Sequence, residues 1–139
     1  MPEKNRYYPL SSINISSLGA IRIGHKIPNI ENLGVAGPQD AIDFTDNDIT
    51  ILSNFPLSPR LSTLMLARNR VRHIQPNIAD SLPNLHTLVL TSNHVAELAD
   101  LDPLRKCTKL THLVLLENPV VRKEVGWPYL RKTDVFGLI

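Results

Sequence analysis

The chain has 139 residues, a hydrophobic fraction of 42%, aromatics at 5% and a formal net charge of +2, which bounds it to a single domain with an aliphatic core. A charge that small does not define a nucleic-acid binder, so any RNA contact has to be local or shared with a partner. The single cysteine, Cys107, excludes an internal disulfide and suits a reducing compartment.

The N-terminal stretch MPEKNRYYPLSSINISS, residues 1–17, has no clean helical stripe and no apolar core of a signal peptide. Nowhere does an apolar run approach the roughly 20 residues of a membrane span, so the chain reads as intracellular and soluble. From Leu18 a frame begins. LGAIRIGHKIP sets Leu18, Ile21 and Ile23 as apolar, two others, apolar, one, apolar, with Lys26 three residues after the last. QDAIDFTDNDI continues the frame with Ile42, Phe44, Asn47 and Ile49, and has Gln39 in the first apolar slot. LSTLMLARNRV fills every slot with Leu61, Leu64, Leu66, Asn69 and Val71. LHTLVLTSNHV does so with Leu85, Leu88, Leu90, Asn93 and Val95, and LTHLVLLENPV with Leu110, Leu113, Leu115, Asn118 and Val120.

Steps of three, two and five fit neither a helix nor a strand alone. The asparagines fall 22, 24 and 25 residues apart (47 to 69, 69 to 93, 93 to 118). A motif of this form repeating every 20–29 residues or so is the leucine-rich repeat. The fold class is therefore α/β: a solenoid of about five coils over residues 18–123, with a curved parallel β-sheet on its concave face. The alternating leucines point inward from short strands. Asn47, Asn69, Asn93 and Asn118 are expected to form a structural ladder, each amide satisfying backbone groups that the turn leaves unpaired. Between coils, Pro76, Pro83 and Pro103 discourage long helices. Short helical or 3-10 turns are expected on the convex face, with Cys107 buried as a small hydrophobe. Residues 124–139 close the chain with VGWPYLRKTDVFGLI after Glu124, where Gly126 and Pro128 break any helix.

The outward strand positions define three columns. The first is Arg22, Asp43, Met65, Val89 and Val114. The second is Gly24, Thr45, Ala67, Thr91 and Leu116, and the third is His25, Asp46, Arg68, Ser92 and Glu117. The face is charged at its N-terminal end and apolar from the third coil on, and an apolar strip of this kind marks a binding surface. Gly24, Ala67 and Thr91 leave room for a partner's helix. Asp40, Asp43, Asp46 and Asp48 lack the glycine and distal glutamate of a calcium loop. They read as ordinary surface pairs with arginines, or as an attraction for a basic partner.

Nothing in the sequence reads as an enzyme. His86 and His112 fall on the outward edge of adjacent strands, but no HxxxH, cysteine cluster or glycine-rich phosphate loop accompanies them. No metal, cofactor or small-molecule substrate is expected.

HKIPNIENLG, DAIDFTDNDI, NFPLSPRLSTLMLARNRV, LPNLHTLVLTSNHVAELADLDPL and LTHLVLLENPV closely resemble the A-prime family of the U2 small nuclear ribonucleoprotein, over about His25 to Lys123. That resemblance implies a non-enzymatic, nuclear component of pre-mRNA splicing. Its concave face would grip the first RRM domain of the B-double-prime protein, and U2 snRNA would be bound as a stem-loop, mainly through that partner. Carried onto this chain, the partner helix lies over Arg22, Asp43, Thr45, Met65, Ala67, Arg68, Val89, Thr91, Val114 and Leu116. Arg22, His25 and Lys26 are then placed near RNA phosphates. Both ends depart from the family: the helical cap is not legible in 1–17, nor the sealing coil in 124–139. The competing reading is a generic leucine-rich-repeat adaptor, such as a phosphatase-regulatory subunit, with another partner.

Overall fold

The computed structural model describes residues 20–21, 28–30 and 39–122; the segments 1–17 and 124–139 lie outside the described residues. The strands are β1 (Ala20–Ile21), β2 (Ala41–Asp43), β3 (Ile51–Leu52), β4 (Thr63–Met65), β5 (His73–Ile74), β6 (Thr87–Val89) and β7 (His112–Val114). In β2, β4, β6 and β7 only the middle residue is buried: Ile42, Leu64, Leu88 and Leu113. Phe44, Leu66, Leu90 and Leu115, two residues on, are buried too. Residues two apart on a strand share a face, so the repeated leucine pair is the inner wall of the solenoid.

β1, β2, β4, β6 and β7 form one parallel sheet in that order. Its register repeats without a slip from β2 onward, aligning Ile42, Leu64, Leu88 and Leu113 in one row and Asp43, Met65, Val89 and Val114 in the next. The first strand departs from expectation. Ala20, rather than Ile21, pairs with Ile42, and Ile21, rather than Arg22, pairs with Asp43. The first coil carries Lys26 in place of the asparagine, so it lacks the amide that ties strand to turn in the other coils, and register is weakly specified where such constraints are few.

Each later strand ends in the same way. Asp46, Arg68, Ser92 and Glu117 adopt positive φ between 57° and 64°, turning the chain sharply one residue before the asparagine. A non-glycine residue in this region is strained, and the buried amide that follows holds it. Asn69 Nδ2 donates to the carbonyls of Phe44 (2.9 Å) and Leu66 (3.0 Å), while its Oδ1 accepts from the Ile49 amide at 3.0 Å. Asn93 repeats the set on Leu66 (2.8 Å), Leu90 (3.1 Å) and the Val71 amide (2.8 Å). Asn118 repeats it on Leu90 (2.6 Å), Leu115 (3.2 Å) and the Val95 amide (3.0 Å). Asn47 donates to Phe44 at 2.9 Å. Every asparagine therefore clamps its own strand end, and Asn69, Asn93 and Asn118 also clamp the coil before.

The return segments are not alike. Between β2 and β4 the chain returns through β3, which pairs in parallel with β5 as a small second sheet. No helix forms there: the run Ile49-Thr50-Ile51 is β-branched, and Pro56 and Pro59 follow it. The next returns carry a short helix, α1 (Ile78–Ser81), and 3-10 segments at Leu98–Lys106 and Pro119–Arg122. Pro103 lies inside the longer 3-10 segment, where a missing amide hydrogen is incompatible with a regular α-helical ladder. The buried residues from Ile30 to Val120 form one contiguous cluster. Cys107 belongs to it, and burial raises its thiol pKa.

Candidate protein-interaction face

Parallel strands lie about 4.8 Å apart, so residues paired in register touch along a row. Asp43, Met65, Val89 and Val114 form such a row, each half-buried by its neighbours. Two residues further along, Thr45, Ala67 and Thr91 are half-buried and Leu116 is 64% exposed. The result is an apolar ridge at Met65, Val89 and Val114, with a shelf of small residues beside it and a leucine standing out at the far end. On the other flank the register adds Ala41, Thr63, Thr87 and His112. The sequence reading placed His112 on an outward strand edge but left Ala41, Thr63 and Thr87 out of the face, although the same alternation by two identifies them.

Charge on the face is largely tied up among the described residues. Arg68 forms a two-pronged ion pair with Asp46, one contact being Nη2 to Oδ2 at 2.7 Å. The Asp46 carboxylate raises the Arg68 guanidinium pKa through that hydrogen bond and its charge. Arg60 pairs with Asp40 through Nε (3.0 Å) and Nη2 (3.1 Å). Arg70 lies 3.6 Å from Asp48. All three pairs join the coil of β2 to the coil of β4, and all are exposed, where such pairs add little to stability. Asp43 accepts from the Thr45 amide at 2.9 Å and from the Thr45 hydroxyl, so it folds back on its own strand end. The aspartates are thus mostly surface pairs, with arginines of the next coil or with a neighbouring threonine.

His86 and His112 do come together. Their rings stack with centroids 6.2 Å apart, and the Thr111 hydroxyl lies 3.2 Å from Nδ1 of one and 2.9 Å from Nδ1 of the other. Among the described residues no group of three or more His, Cys, Asp and Glu is placed to hold a metal ion, and no helix is long and apolar enough to cross a membrane. Arg22, His25 and Lys26 lie outside the described residues. The register of β1 nevertheless puts Ile21 at the position beside Asp43 that the sequence reading assigned to Arg22. Among the described residues the arrangement offers an apolar ridge beside a shelf of small side chains.

The family model described as "Leucine-rich repeat" matches residues 13–132. The chain is 76% identical over 101 residues to "U2 small nuclear ribonucleoprotein A'" of Aspergillus fumigatus, covering 73% of this chain and 40% of that protein. It is 50% identical over 102 residues to the Homo sapiens protein of the same name, covering 73% of this chain and 40% of that protein. The chain thus spans about two fifths of the length of these curated relatives. Among solved structures, the SNF/U2A' complex of Drosophila melanogaster contains a chain that superposes with a TM-score of 0.85 at 36% identity, covering 93% of this chain and 77% of that one.

Proposed function

The chain belongs to the leucine-rich-repeat family of the U2 small nuclear ribonucleoprotein A' proteins, and from that premise we propose that it is a non-enzymatic binding scaffold of this particle in pre-mRNA splicing. Its concave face holds the RRM domain of the B-double-prime protein, and the pair binds a stem-loop of U2 snRNA in the nucleus. Most of the RNA contact is made by the partner, with Arg22, His25 and Lys26 contributing phosphate contacts.

The observation that carries this reading is the row Met65, Val89 and Val114, held in register and ending beside the exposed Leu116. Aliphatic residues at the centre of a patch, with charged residues at its edge, have the anatomy of a protein interface. That the similar Drosophila chain was solved as a complex with a second protein supports the same reading.

The test is calorimetric titration of the folded chain with the isolated RRM domain, without RNA. Saturable binding is expected, weakened at least tenfold by Met65→Asp, or about 1.4 kcal/mol. Thr50→Asp, off the face, should leave it unchanged. A chain with a folded circular dichroism spectrum and no binding would overturn the proposal.

A further inference from the structure

We propose that Ser58 is a phosphorylation site for an ATP-dependent proline-directed serine/threonine kinase. Ser58-Pro59 is the only Ser-Pro or Thr-Pro step in the chain, and it sits in a loop built for access. Phe55 and Leu61 are buried and anchor the loop at both ends. Between them Pro56, Leu57, Pro59 and Arg60 are exposed, Leu57 at 69%, and Ser58 is half-exposed. The Ser58 hydroxyl donates only locally, to the Pro56 carbonyl at 2.8 Å, so the side chain has no core role to lose. The backbone of Ser58 is held in a turn, its amide donating to the Ser81 carbonyl at 2.8 Å and its carbonyl accepting from the Leu61 amide at 3.2 Å. This turn must open for the kinase. Pro59 holds Ser58 away from helical geometry and presents no amide hydrogen after it. These are the features by which a kinase cleft that takes an extended substrate selects proline at the following position.

In the transfer, the Ser58 oxygen forms a bond to the γ-phosphorus of ATP, the bond from that phosphorus to the β-γ bridging oxygen breaks, and ADP leaves. The hydroxyl proton passes to the kinase's base. The product carries nearly two negative charges two residues from Arg60. Arg60 is engaged with Asp40 through an exposed two-pronged pair, and the backbone carbonyl of Asp40 accepts from the Ser62 and Thr63 amides at the start of β4. A phosphate at Ser58 draws Arg60 off Asp40 and leaves an unpaired carboxylate at the rim of the sheet.

The experiment treats the folded chain with a proline-directed kinase and Mg-ATP, followed by intact mass, peptide mapping and the Arg60 Nε signal by NMR. One phosphoryl group per chain is expected, on Ser58, absent from Ser58→Ala and strongly reduced in Pro59→Ala, with the Arg60 signal shifted. Labelling only of heat-unfolded chain, or equal labelling of Ser58→Ala, overturns the site. An unmoved Arg60 signal on fully phosphorylated chain overturns the exchange of partners.

Discussion

Asn93 is 3% exposed and uses all the polar atoms of its amide: Nδ2 serves the Leu66 and Leu90 carbonyls, and Oδ1 serves the Val71 amide. Replacing it by alanine strands the Val71 amide in the interior, where an unmet group costs roughly 1–3 kcal/mol, and leaves the Leu66 and Leu90 carbonyls with one amide each, from Asn69 and Asn118. Asn93→Ala is therefore expected to lose about 1–3 kcal/mol in urea titration. Asn93→Asp should not restore it, because a carboxylate accepts but does not donate and sets a buried charge against the Leu66 and Leu90 carbonyls. Ser92, next to it, holds φ at 58°. A β-branched side chain is strained there, so Ser92→Ile should cost about 1–2 kcal/mol, whereas Ser92→Gly should stay within about 0.5 kcal/mol. Cys107 gives a pH signature. Its thiol pKa is raised by burial in the folded chain, so the folded state keeps a proton that the unfolded state releases from about pH 8.5. Cys107 therefore adds stability that is complete below that pH and declines as pH rises towards the folded pKa. A stability–pH curve that falls in this alkaline range for the wild type, and less steeply for Cys107→Ala, checks the assignment.

At the level of elements, the strands from β2 to β7 on the main sheet were legible because one frame fixes both which residues go inward and where the chain turns. Leu64 and Leu66, then Asn69, leave one register available, and the same holds for Leu88, Leu90 and Asn93. The returns were less legible, since their only shared demand is to bury a few leucines; the β3–β5 pairing and the 3-10 path around Pro103 both satisfy it. The ridge of the candidate face was readable from alternation, but its charge balance was not. Arg60 and Asp40 are 20 residues apart, and Arg68 and Asp46 are 22, and only the stacking of coils brings them together. β1 is the element where pattern misled, with Ile21 rather than Arg22 beside Asp43. Backbone NMR contacts are expected between Ala20 and Ile42 and between Ile21 and Asp43. Contacts between Ile21 and Ile42 in their place would return the strand to the register the repeat frame implies.

Across the whole molecule the asparagines are not independent posts. The Phe44 carbonyl accepts from both Asn47 and Asn69, the Leu66 carbonyl from both Asn69 and Asn93, and the Leu90 carbonyl from both Asn93 and Asn118. Each strand end is thus held by its own coil and by the next, so a single deletion leaves every shared carbonyl with one amide. Removing Asn69 and Asn93 together strips Leu66 of both. The double alanine variant should then be less stable than the sum of the single losses by about 0.5–3 kcal/mol, the range for residues sharing a partner. Asn47 and Asn118 share no acceptor and stand three coils apart, so their losses should add to within about 0.5 kcal/mol. Two double-mutant cycles in urea measure both quantities. Equal additivity in the two would mean that the coils are joined by their strand pairing and apolar contacts, and that the ladder only shapes each turn. Excess loss confined to the adjacent pair would make the amides the link that passes order from one coil to the next, and with it the register that holds Met65, Val89 and Val114 in line.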